Sequence, residues 1–197
     1  MTSIGKGFAV LMITFCALGA LRGEVGFGAG GGMLYPGFQA SERYGSRFGA
    51  GFGFDLLARH TLIKIDSLNV IDARYGFRSY YSDIDLATNS VTRFRYTYLV
   101  IGITWDALRI SDYQIYAGAA ASLVTAKAQQ RYVDDVTESL MLPELLMGVE
   151  WEINTNYNLF AEVGIQFGAI DITSDVLSLT GIRLLIGGTM FLTTQEK

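Results

Sequence analysis

Apolar residues alternate with small or polar ones at a period of two in eight successive stretches of this chain, and none of them is an apolar block long enough to cross a bilayer as a helix. A period of two sends neighbouring side chains to opposite faces of a β-strand. Over 157–169, Tyr157, Leu159, Ala161, Val163, Ile165, Phe167 and Ala169 share one face, and Asn158, Phe160, Glu162, Gly164, Gln166 and Gly168 the other. Over 141–153, Met141, Pro143, Leu145, Met147, Val149, Trp151 and Ile153 oppose Glu144, Gly148, Glu150 and Glu152. Such strands build either a soluble sandwich or a closed barrel with lipid outside and a polar lumen inside.

Half the residues are hydrophobic and 13% aromatic, with 23 glycines but only two prolines in 197 residues, a composition that folds. No linker, charge block or low-complexity tract divides the chain, so one domain is expected over 20–197. Residues 1–19 read as an export signal, with Lys6 as the positive region, 7–18 as the apolar run and Ala17-Leu18-Gly19 as a small-x-small cleavage site. The single cysteine, Cys16, would leave with the signal, so no intramolecular disulfide is expected. Loss of Lys6 from the 15 basic residues leaves 14 against 19 acidic ones, a formal charge of −5. Without a basic patch interleaved with aromatics, nucleic acid is not an expected partner.

Candidate strands fall at 24–35, 46–57, 68–81, 93–106, 112–125, 140–153, 157–170 and 178–192. Each exceeds the ~9–11 residues a tilted strand needs to cross hydrocarbon. Residues 36–45, 82–92, 126–139 and 171–177 read as polar loops, whereas 108–111 and 154–156 are short connections. Within 59–67, residues 62–66 look like strand extension rather than turn. Long loops at one rim and tight turns at the other predict an all-β, eight-stranded antiparallel up-and-down transmembrane barrel of the bacterial outer membrane, with the N-terminus periplasmic.

On this scheme Trp105, Tyr113, Trp151 and Tyr157 form a lipid-facing girdle at the periplasmic rim, and Tyr35, Phe48, Phe77, Tyr81 and Phe167 a second one at the outer rim. The inner faces carry Asp55, Asp72, Arg74, Arg78, Glu144, Glu150, Glu162 and Arg183. Unpaired charges there would be costly, so Arg74, Arg78 and Arg183 are expected to pair with the carboxylates. An eight-stranded interior is about wide enough for side chains to fill, which argues against a wide pore. Gly26, Gly28, Gly30, Gly32, Gly49, Gly51 and Gly53 fall on the inner face and leave room for Tyr96, Tyr98, Tyr116, Phe160 and Phe191. The fourth strand is open to a second reading, in which Phe94, Tyr96 and Tyr98 face lipid with Val100.

The strand alternation, the Tyr96-Thr97-Tyr98-Leu99-Val100-Ile101 segment, the Gly148-Val149-Glu150-Trp151 strand end and the final Gly187-Gly188-Thr189-Met190-Phe191-Leu192 together resemble the PorT-like outer-membrane β-barrel family, related in architecture to the OmpA- and OmpX-like barrels. The resemblance covers nearly the whole chain after the signal. It implies outer-membrane lipid, lipopolysaccharide and the barrel-assembly machinery as partners, and leaves activity open.

Catalytic candidates are sparse. His60, between Arg59 and Thr61, sits at a predicted periplasmic turn without a nucleophile or acid beside it, and reads as a solvated residue. Asp83, Asp85 and Asn89 resemble a calcium loop in spacing but lack its glycine. Asp134 and Asp135, beside Arg131 and Tyr132, suit a surface loop that contacts lipopolysaccharide or a protein ligand. The chain therefore reads as a monomer with a structural or surface-interaction role, without cofactor, metal or catalytic site. The alternatives are a narrow ion or small-solute channel along Glu144, Glu150, Glu162 and Arg183, and a lipid-modifying enzyme.

Overall fold

The computed structural model describes residues 25–36, 47–48, 50–65, 70–85, 91–130, 133–172, 175–178 and 180–192. The expected signal over 1–19 lies outside these residues, as do Gly49, Asn89, Arg131 and Tyr132. For Phe48, Asp83, Asp85, Asp134 and Asp135 the backbone alone is described. The elements in chain order are β1 (Val25–Pro36), β2 (Arg47–Phe48), β3 (Gly51–Lys64), β4 (Val70–Asp85), β5 (Val91–Ile110), β6 (Tyr113–Gln130), β7 (Val133–Asn154), β8 (Tyr157–Gln166), β9 (Ala169–Ile172), β10 (Asp175–Ser178) and β11 (Gly181–Leu192).

Eight of these strands close a ring. β1, β3, β4, β5, β6, β7, β8 and β11 pair in that order, and β11 returns to β1, antiparallel throughout. Closure removes the free edge that an open sheet would present. β2 pairs with β4 beyond the end of β3, and β9 with β10 forms a separate hairpin. The alternation holds the register, because a slip of one residue would turn a buried row of charges outward.

The staves differ in length. β5, β6 and β7 have 20, 18 and 22 residues, against 10 in β8 and 12 in each of β1 and β11. The polar stretches at 82–92 and 126–139, expected as loops, are largely strand: β4 runs to Asp85, β5 begins at Val91, β6 runs to Gln130 and β7 begins at Val133. Each extension lies against an equally extended neighbour, so ladder bonds satisfy its backbone whatever its side-chain polarity. The expected loop at 171–177 is part of the β9–β10 hairpin. At the opposite rim the chain turns tightly at Ser111–Asp112 and Thr155–Asn156. β3 continues to Lys64 through a bulge between Thr61 and Ile63, so 62–64 extend the strand, as the sequence suggests.

Two residues show how the ladder ends are handled. The Pro143 carbonyl accepts from the Phe167 backbone N–H at 3.1 Å, just past the last β7–β8 partners, Glu144 and Gln166. The reciprocal bond that a proline cannot donate, to the Phe167 carbonyl, would fall past Gln166, the last residue of β8, so the missing donor sits at the end of that ladder and not within it. Gly168 follows β8 with φ 155°, a conformation side chains resist, and its N–H donates to Thr180 Oγ1 at 3.1 Å.

The outer wall is apolar: Ile101, Ile103, Met141, Leu145, Met147 and Ile186 are all exposed. Inside, Phe94, Tyr96, Tyr98 and Val100 are buried, which places this segment of β5 on the lumen side and excludes its lipid-facing alternative. Inward glycines make room for other lumen groups: a Cβ on Gly26 would strike the Phe191 ring, and one on Gly32 the Leu184 carbonyl and the Tyr80 hydroxyl.

Candidate functional site

The charged inner residues converge because strands far apart in sequence face one another across a narrow ring. Arg183 on β11 donates to Glu144 of β7 from Nε at 3.0 Å and Nη2 at 2.9 Å, to Glu162 of β8 at 2.5 Å and to Asp55 of β3 at 3.3 Å. Arg78 on β4 reaches Asp55 at 2.9 Å and Glu144 at 2.6 Å, and Arg74 pairs with Glu162. Three guanidinium groups thus meet three carboxylates, and all six side chains are buried.

Neutral donors take up further oxygen lone pairs. The Tyr80 hydroxyl donates to Asp55 at 2.7 Å, and that of Tyr116 to Glu162 at 2.7 Å. Ion pairs tolerate burial only with such additional hydrogen bonds. Tyr80→Phe is accordingly expected to cost about 2 kcal/mol, measured by denaturant unfolding, while leaving the barrel assembled. Towards the long-strand end, Tyr80, Tyr96, Tyr98, Val124, Leu142 and Leu34 fill the lumen, with the Tyr80 and Tyr98 rings edge-to-face at 6.2 Å.

A second cluster lies nearer the turns. Arg59 of β3 donates to Asp72 at 2.6 Å, pairs with Glu150 and stands 3.8 Å from Asp106. Its guanidinium also lies 5.8 Å from the Tyr116 and Phe191 ring centroids. Asn158 donates to Glu150 at 3.1 Å. These groups floor a vestibule of about 370 Å³ whose rim includes Lys64, Thr155 and the Arg109–Glu152 ion pair. It faces the turn end, and the Arg183 network lies deeper in the lumen.

Asp55, Arg74, Arg78, Glu144, Glu162 and Arg183 therefore come together in the central network, and Asp72 and Glu150 in the Arg59 cluster. Sequence reasoning missed Arg59 and Asp106. Arg59 shares the parity of Asp55 and Leu57 but falls within 59–67, the connection expected from the sequence. Asp106 follows outward Trp105 and so had to point inward.

Trp105, Tyr113, Trp151 and Tyr157 are exposed on the outer wall at the turn end, with Tyr113 and Trp151 stacked at 6.0 Å. Tyr35, Tyr81 and Phe167 are exposed towards the other end. Phe77 departs from its expected place at the rim. It lies four positions deeper than Tyr81, beside register partners Leu56 and Leu99 and 6.1 Å from Phe54. His60 is likewise not a solvated turn residue: it lies within β3, half-buried on the outer wall opposite Val25 and Ala73. Asp83 and Asp85 belong to the backbone of β4, and Asp134 and Asp135 to that of β7. Among the described residues no group of three acidic, histidine or cysteine side chains has metal-binding geometry.

No family model matches the chain, and no curated protein does. Solved structures match its fold. Neisserial surface protein A aligns with a TM-score of 0.58 at 16% identity, covering 85% of this chain and 96% of that one. OprG, an outer membrane protein of Pseudomonas aeruginosa, aligns at 0.65 with 8% identity, covering 88% and 97%. Ail, the attachment invasion locus protein of Yersinia pestis in complex with the heparin analogue sucrose octasulfate, aligns at 0.53 with 14% identity, covering 87% and 100%. At these identities the likeness establishes the fold, a small eight-stranded closed barrel.

Proposed function

We propose that the protein is a monomeric outer-membrane barrel of a bacterium, PorT-like in its strand signatures, with a structural or surface-interaction role and a lumen plugged by its own side chains. The observation that carries this reading is the inversion of the usual soluble arrangement: charges lie buried inside while an apolar wall, edged by aromatics, faces outward. Lipid and lipopolysaccharide are the partners such a wall fits, and the barrel-assembly machinery is the partner its insertion requires. The long-strand end is the part offered to a protein ligand. The outer-membrane and surface-protein neighbours support this reading.

A narrow conduit is the second reading, favoured by the vestibule at the turn end. The two differ in planar bilayers. A plugged barrel shows a mobility change on boiling before electrophoresis, and no conductance above the lipid background. Reproducible single-channel steps from the folded form would replace the structural reading with the conduit, and unchanged mobility on boiling would argue against a closed barrel.

A further inference from the structure

We infer that the vestibule at the turn end binds a small aliphatic primary amine, its ammonium group held by Asp72, Thr104 and Asp106. The site goes beyond the roles proposed above and does not depend on whether the lumen conducts. It begins with an imbalance between the two lumen clusters. The central network sets three guanidinium groups against three carboxylates, whereas the Arg59 cluster sets one guanidinium against Asp72, Asp106 and Glu150. The surplus negative charge lies where the vestibule of about 370 Å³ opens, and all three carboxylates line it.

Arg59 does not serve all three. Its Nε and Nη2 both donate to Asp72 Oδ2, at 3.2 and 2.6 Å, and its Nη1 donates to Glu150. Asp106 is left 3.8 Å from Nη2, an ion pair too long for a hydrogen bond. Asp72 Oδ1, Asp106 Oδ1 and Thr104 Oγ1 stand buried without a hydrogen-bond partner among the described residues. These oxygens belong to one neighbourhood, since Thr104 is the register partner of Asp72 and Asp106 follows two positions later on the same inner face. Asp72, Thr104 and Asp106 are 4%, 2% and 5% exposed, and unmet acceptors so deeply buried are costly.

What the cluster lacks is donors that carry positive charge. An ammonium group brings three N–H donors and one charge, a donor for each oxygen. A metal ion suits the place less, because no described group of three acidic, histidine or cysteine side chains has the geometry to hold one, and calcium takes about six to eight oxygens. Glu150 is already held by Arg59 and Asn158. Aspartate χ2 is a soft, roughly two-fold torsion, so either oxygen of each carboxylate can turn to an entering cation. Val70 and Phe191 line the same vestibule and offer apolar surface to a short alkyl chain.

The test is isothermal titration calorimetry of the full chain in nanodiscs, with butylamine as the probe. Wild type is expected to bind butylamine saturably, and tetramethylammonium, a cation without N–H donors, at least about tenfold more weakly. Butanol, of similar shape without the charge, should not bind. Asp106→Asn should weaken butylamine binding about tenfold or more, and Thr104→Val, which removes one acceptor at nearly constant shape, about fivefold. Glu138→Gln makes the same charge change as Asp106→Asn at an exposed position of the long-strand end, and should stay within about twofold of wild type. Wild type that shows the boiling-dependent mobility shift but no saturable binding overturns the site and leaves the barrel reading intact. Equal affinities in wild type, Asp106→Asn and Thr104→Val do the same, and binding of magnesium chloride in place of butylamine overturns the ligand class.

Discussion

Arg183→Met is expected to lower the stability of the barrel by about 3–5 kcal/mol. The measurement is denaturant unfolding in lipid vesicles followed by the fluorescence of the two tryptophans, Trp105 and Trp151, which report from the outer wall. Methionine keeps much of the side-chain volume, so the loss reports charge more than packing. Arg183 contacts Asp55, Glu144 and Glu162, and without it Arg74 and Arg78 are left to balance three buried carboxylates. Removing one partner of a buried pair is expensive because the other keeps its desolvation penalty. Arg59→Met is expected to cost less, since the vestibule gives Asp72, Asp106 and Glu150 access to water. If Arg183→Met costs no more than the ~1 kcal/mol of a surface pair, water reaches the centre of the lumen and the plug is not closed.

Leu145→Arg is expected to cost about 2–4 kcal/mol in a bilayer. Leu145 is 58% exposed, with Ala119 and Ile165 as register partners, midway along β7 between Trp151 and Ser139. A guanidinium there must leave water for hydrocarbon or drag water inward. The same substitution at an exposed site of a soluble protein stays within about 0.5 kcal/mol, so one measurement separates a lipid-facing wall from a solvent-facing one. Thr137→Arg, four positions past Met141, the last large exposed apolar residue of β7 towards the long-strand end among the described side chains, provides the depth control and is expected to cost about 1 kcal/mol or less. Equal effects at both positions would remove the hydrocarbon from the account.

Much of this architecture could be read along the chain because a strand assigns each side chain to a face locally. Tyr157, Leu159 and Val163 were assignable to one wall and Glu162 to the other without knowledge of any neighbour, and the structure places them so. The ambiguous segment was 94–100, where large aromatics suit either face. Only the packing of Tyr98 beside Tyr80, with Leu34 and Leu142 in the same cluster, decided it. Strand ends were less legible. Ser82, Asp83 and Asp85 carry turn-like composition, and Lys127, Gln129 and Gln130 make 126–130 polar enough to read as loop, yet a paired neighbour keeps both stretches extended. His60 was misplaced for the same reason, since the bulge that lets β3 continue past it lies further along, between Thr61 and Ile63.

By itself the sequence determined the number of staves and, away from the strand ends and the 94–100 segment, the face each residue takes, and so placed Asp55, Asp72, Arg74, Arg78, Glu144, Glu150, Glu162 and Arg183 in the lumen, because period-two geometry is a property of neighbouring residues. Only the tertiary structure decided which charges meet. Arg183 finds Asp55 across 128 positions of chain, and Arg59 collects Asp72 and Glu150 apart from the central network, because ring closure and strand stagger set the height of every side chain relative to strands distant in sequence.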